Sequence, residues 1–178
     1  GAGPEAVAAE YRAVVQQFPG SWYTLLSQER LRELGLEPPA TFAQPPRVGA
    51  PAKSPPELKL AIELARAGLL RDAGEEVDTR LASVGPADAL RFGQAFQALG
   101  EFGPAHSLAA RHLWGAVYAA RQPEAVALMY PRAFADQVER FSSEHGLDPF
   151  FAWAIMRRES AFRPEVTSVA DARGLMQL

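Results

Sequence analysis

Apolar residues in this chain recur at three- and four-residue spacing, in blocks that a glycine or proline repeatedly closes. No run alternates apolar and polar residues long enough to make a strand, so the pattern predicts an all-α fold. Pro4 opens a helix to about Gln17, with Tyr11, Val14, Val15 and Phe18 as its stripe, and Phe18-Pro19-Gly20 breaks it. Ser21 caps a second helix that carries Trp22, Leu25, Leu26 and Leu31 toward Gly35. From Glu37 to Pro56 seven of twenty residues are proline, which predicts an extended surface connection. Ser54 and Glu57 have the spacing of a capping box for a helix with Leu58, Ile62, Ala65 and Leu69 on its buried face, ending at Gly68. Further helices are expected over 70–83, 86–99 and 104–120. Short helices joined by tight turns suit a stack of antiparallel hairpins, an α-solenoid or superhelix over residues 1–129.

Residues 130–178 read differently. Pro131 is expected to start a helix through Phe134, Val138 and Phe141 that ends near His145-Gly146. Asp148-Pro149 then offers an N-cap and a first-turn proline, and Phe150 to Met156 are all apolar, which predicts a helix at the centre of a core. Polarity returns at Arg157-Arg158-Glu159-Ser160, close to the end that Pro164 imposes. Helical geometry puts Glu159 on the face of Ala152, Ile155 and Met156, beside apolar surface and at the negative end of the helix dipole. Both conditions favour a protonated carboxyl, the form a general acid needs. The competing reading is a solvated carboxylate paired with Arg157, Arg158 or Arg163.

The wider pattern decides between them. Tyr130-Pro131, Phe134, Val138, Gly146-Leu147-Asp148-Pro149, the run Ala154 to Phe162, Ser168 and Ala172-Arg173-Gly174-Leu175-Met176-Gln177-Leu178 together resemble the start of the catalytic domain of soluble lytic murein transglycosylases. Upstream, Tyr11, Phe18-Pro19, Trp22-Tyr23 and Arg30-Leu31 resemble the helical superhelix that precedes that domain. The resemblance implies a superhelical domain over 1–129 followed by the N-terminal portion of a lysozyme-like α-domain over 130–178. It also implies cleavage of the β-1,4 bond between N-acetylmuramic acid and N-acetylglucosamine, leaving a 1,6-anhydro ring. Glu159 would be the acid and then the base, with Ser160, Met176 and Gln177 binding substrate.

An ordinary glycosidase uses two carboxylates about 5 to 9.5 Å apart. An attack by the sugar's own C6 hydroxyl dispenses with the second. By the same resemblance the partner is the peptidoglycan glycan strand, with proteins of the cell-wall machinery beside it, and the location is the periplasm or cell envelope. A goose-type-lysozyme-like hydrolase and a non-enzymatic helical-repeat binding module are the alternatives. Asp171 stands where the family usually has glycine, and Arg158 where glutamine is commoner. The family's later motifs, including its Asn-Ala-Gly segment and the tyrosines of the cleft floor, are missing, so the chain as given is expected to be incomplete and inactive alone.

The net charge of −3 argues against nucleic acid or an anionic membrane as partner. No stretch approaches the roughly 18 apolar residues of a membrane-spanning helix, and Gly1-Ala2-Gly3-Pro4 lacks the order of a signal peptide. The chain has no cysteine, and His106, His112 and His145 have no metal-ligand spacing, so neither a metal nor another cofactor is expected. Trp114 and Tyr118, four residues apart, are expected to pack in the core rather than to stack on sugar.

Overall fold

A computed structural model describes residues 3–42, 56–81 and 85–178. About two thirds of the chain's length is accounted for by helices in consecutive antiparallel pairs, and the described residues contain no strand beyond an isolated bridge between Thr167 and Arg173. Helix α1 (Pro4–Gln17) turns at Phe18–Gly20 into α2 (Trp22–Glu33), where the Ser21 hydroxyl accepts the Thr24 N–H. The proposed Ser54 cap and most of the Pro-rich connection lie outside the described residues. A 3-10 turn at Pro56–Leu58 leads into α3 (Lys59–Arg66), which pairs with α4 (Leu70–Leu81). Helix α5 (Pro86–Ala98) pairs with α6 (Phe102–His112). Helix α7 (Pro123–Met129) packs on both, and α8 (Ala135–Glu144) pairs with α9 (Pro149–Ser160).

Several expectations are corrected. The helix expected over 104–120 starts at Phe102 and ends at His112, and a separate π-helical turn follows at Gly115–Ala119. Pro104 fits inside the first turn of α6 because N–H groups there have no intrahelical acceptor. Helix α7 has no amphipathic stripe for the sequence to reveal, since Ala125 to Met129 are all buried. The helix expected from Pro131 starts only at Ala135, after Phe134 turns left-handed at φ 54°. On α2, Thr24, Ser27 and Leu31 face inward, while Trp22, Leu25 and Leu26 are exposed. Phe18, expected on the buried stripe of α1, is exposed as well. Trp114 stacks on Tyr118 with centroids 4.3 Å apart, but it lies at the surface with 57% of its area exposed.

Two apolar clusters hold the layers together. The first runs from Leu58 to Met129 and is centred on Phe92, Phe96, Leu108, Leu113 and Leu128. Helices α5 and α7 meet closely there because residue 93 is glycine: a Cβ would lie 2.5 Å from Leu128 Cδ1. The second gathers Ala133, Val138, Trp153, Met156 and Phe162, with Phe102, Leu175 and Met176 against it. Only one face of α9 enters this cluster. Trp153 and Met156 are buried, and the Trp153 indole donates to the Ala133 carbonyl at 2.8 Å, whereas Phe150 and Phe151 are 58% and 62% exposed. The expectation that α9 is surrounded by core therefore fails within this structure.

Candidate active site

Local chemistry sets both ends of α9. At its start the Asp148 carboxylate accepts the Phe150 N–H at 2.9 Å and Pro149 fills the first turn. At its end Ala161 (φ 50°) and Phe162 (φ 63°) are both left-handed. Such residues cost on the order of 1 kcal/mol each and persist only where the surroundings over-determine them. The surroundings here are specific. Phe162 is 2% exposed and meets the His106 ring edge-on at 5.4 Å. The Ser160 carbonyl accepts both the Arg163 N–H and its Nε–H, at 3.2 and 3.1 Å. Asp171 and Gln177 add two more left-handed residues to the same short segment.

Glu159 sits one residue before the end of α9. It is exposed rather than set against apolar surface, although Met156 on the same face is buried. Among the described residues no hydrogen bond or ion pair reaches its carboxylate, so pairing with Arg157, Arg158 or Arg163 is not what this site uses. Arg157 lies over the Tyr130 ring at 4.9 Å instead, with its Nε buried and unpartnered among the described residues.

Ser160 points the other way. It is 2% exposed, and its hydroxyl lies 2.9 Å from both the Met156 and the Leu175 carbonyls, tying the 174–178 loop to the last turn of α9. The same loop is closed by Gly174 N–H to the Val166 carbonyl at 2.9 Å and by Ser168 N–H to the Ala172 carbonyl at 2.8 Å. The Gln177 amide nitrogen donates to the Val166 and Gly174 carbonyls at 3.0 and 2.9 Å, so its two hydrogens are engaged within the loop and its carbonyl oxygen is left to accept. Met176 is half-buried and, with Leu175 and Met156, lines an apolar groove of about 360 Å³ between α8 and α9. The loop thus brings Ser160, Met176 and Gln177 together beside the end of α9. Asp171 occupies its left-handed position (φ 61°) with its carboxylate held by Arg173 at 2.8 Å.

Spacing along the sequence gave no sign of the contribution of α6. The His106 Nδ1 lies 2.9 Å from the Met129 carbonyl, an acceptor only, so that nitrogen carries the proton. Burial, and then the nearby Arg157 charge, hold His106 below the usual histidine range, which keeps it neutral. At the start of α6, Glu101 is pushed above the usual carboxylate range by burial and then by Glu165, across a cavity of about 490 Å³. No cluster of metal-ligating side chains occurs among the described residues, and none of the described helices is long and apolar enough to cross a membrane.

Residues 137–178 match the family described as Transglycosylase SLT domain. In fold the chain is similar to the 70 kDa soluble lytic transglycosylase of Escherichia coli, with TM-score 0.67 and 21% identity over 98% of this chain and 27% of that one. It is similar too to an inactive glutamate-to-glutamine mutant of the lytic transglycosylase Slt from Pseudomonas aeruginosa, with TM-score 0.66 and 21% identity over 99% and 27% of the two chains. A complex of the 70 kDa enzyme with bulgecin A matches at TM-score 0.66 and 21% identity, over 98% and 27%. No curated protein sequence matches the chain. The chain spans about a quarter of the length of these solved structures. Residues 137–178, which hold α9, Glu159 and the loop folded against it, thus match the transglycosylase SLT domain family, and the chain is similar in fold to soluble lytic transglycosylases.

Proposed function

We propose that this chain supplies the acid-bearing part of a peptidoglycan lytic transglycosylase. The observation that carries the reading is an exposed, unpartnered Glu159 at a helix end tied by Ser160 to Leu175 and to Arg163, within a segment that matches the transglycosylase SLT domain family. In the reaction, the Glu159 carboxyl protonates the oxygen leaving between N-acetylmuramic acid and N-acetylglucosamine. The resulting carboxylate takes the proton of the muramic acid C6 hydroxyl as that oxygen bonds to C1, so the product is a 1,6-anhydro sugar and no water is consumed. The nucleophile belongs to the substrate, so the step needs neither a second carboxylate nor a cofactor.

Ser160 acts here by holding the loop to α9. Met176 offers an apolar wall to the sugar, and the free Gln177 carbonyl oxygen suits a sugar hydroxyl or acetamido N–H. Residues 1–129 form the superhelical domain and 130–178 begin the lysozyme-like one. The protein works on the glycan strand in the periplasm or cell envelope, beside other proteins of the cell-wall machinery. The inactive glutamate-to-glutamine form of the Pseudomonas aeruginosa relative supports an essential glutamate.

The test is product mass. Full-length protein incubated with purified murein sacculi should release fragments lighter by one water than hydrolytic ones. Glu159→Gln should lower the rate by about 10²–10⁴, the usual contribution of a general acid. Reducing-end products alone, or a Glu159→Gln protein that keeps its activity, overturn the reading.

A further inference from the structure

Two elements about sixty residues apart in sequence are pressed together beside Glu159. Gly103 lies in the first turn of α6 and is buried against the turn that ends α9. A Cβ at position 103 would stand 2.5 Å from Arg163 Cγ and 3.5 Å from the Ala161 carbonyl oxygen. The Arg163 stem therefore crosses α6 where a side chain is missing, and the Nε at the end of that stem donates to the Ser160 carbonyl at 3.1 Å. Gly103 is needed for space and not for conformation, since its φ lies outside the left-handed region. Any side chain there must push the middle of the Arg163 stem, and with it the bond to the residue that follows Glu159.

We infer that Gly103 and Arg163 are positioning residues, a lock that fixes the carboxyl-bearing end of α9 against α6. The inference rests on Glu159 being the acid. The lock acts on backbone, so it sets where the carboxyl stands without touching substrate. The two consecutive left-handed residues Ala161 and Phe162 make this end of the helix dependent on such external restraint, because their local preference is to leave that conformation. Phe162 against His106 anchors one side of the turn, and Arg163 over Gly103 anchors the other.

The experiment uses the full-length protein with Gly103→Ala, Arg163→Ala and the double variant, each checked for complete folding by circular dichroism. Amide hydrogen exchange at residues 160–163 reads the lock without reference to activity, and it should quicken at least about tenfold in both single variants. On murein, kcat should fall between about 10- and 100-fold while KM stays within about twofold, because the acid is misplaced and the glycan contacts are not. The double variant should match Arg163→Ala alone, since an alanine at 163 leaves room for one at 103. A merely structural contact would lower the melting temperature and leave kcat of the folded protein unchanged. Unchanged exchange, unchanged kcat, or additive losses in the double variant would each overturn the proposal. Retained activity in Glu159→Gln would instead refute the catalytic reading, leaving the exchange data to judge the lock on its own.

Discussion

Ser160→Ala separates a hydroxyl that serves substrate from one that serves the fold. The Ser160 oxygen is shut off from solvent and lies 2.9 Å from each of two carbonyls, yet its single hydrogen is given to one of them at a time. Met156 loses little, because its carbonyl also accepts the N–H groups of Ala161 and Phe162. Leu175 loses the bond that ties the loop to α9. Leaving a buried acceptor unpaired costs about 1–3 kcal/mol. Leu175 is only half-buried, which favours the lower half, about 1–2 kcal/mol, and at 2–4 °C per kcal/mol for a chain of this size the melting temperature should drop by roughly 2–8 °C. Exchange at Gly174 and Gln177 should quicken, and turnover should fall because the loop carrying Met176 and Gln177 is loosened. Thermal unfolding with murein turnover on the same samples checks both. A large fall in kcat/KM with an unmoved melting temperature would mean that Ser160 meets the glycan directly, and the account of its hydroxyl would be wrong.

Three further outcomes follow from the same geometry. His106 binds its proton less readily folded than unfolded, so the unfolded state takes up more protons below its ordinary pKa of about 6.5 and stability falls as pH drops through that range. His106→Asn, which keeps an N–H donor without the titration, should flatten the fall in melting temperature between pH 6.5 and 5 relative to the unaltered protein. Glu101 has the opposite sign. Its carboxyl prefers the neutral form when folded, so Glu101→Gln should raise the melting temperature at pH 7 and have little effect at pH 3, below the ordinary carboxylate range, where the acid is protonated in both states. Asp171→Gly removes the small cost of a left-handed non-glycine residue but also an exposed pair with Arg173 that is worth little. The two offset, so stability should change by less than about 0.5 kcal/mol and turnover on murein should hold.

What was legible in the sequence is what local chemistry decides. The two ends of α9 could be read because Asp148-Pro149 and Pro164 act on their neighbours, and the hairpin of α1 and α2 because Ser21 and Gly20 do. Faces were harder. Spacing shows which residues share a side of a helix, but not which side meets a partner: on α2 the apolar Leu25 and Leu26 are exposed while Thr24 and Ser27 face in. Residues 125–129 of helix α7 are all buried, and an all-apolar stretch of five residues carries no period to detect.

The candidate site divides the same way. Glu159, Ser160, Met176 and Gln177 stand out as a motif, but the direction each side chain takes depends on how the segment 161–178 folds back on α9. Sequence reasoning puts the Glu159 carboxyl beside apolar surface, and the family resemblance gives the Ser160 hydroxyl to substrate. In the structure the carboxyl is open and the hydroxyl is buried between two carbonyls. The reversal has one cause. The left-handed pair Ala161-Phe162 swings the chain across the end of α9 and brings Leu175 onto Ser160, which leaves the adjacent Glu159 on the outer face. That turn depends on His106 and Gly103, about sixty residues earlier, and a contact of such separation has no local signature. The chemistry of the site was therefore written in a short motif, whereas its geometry was written in α6.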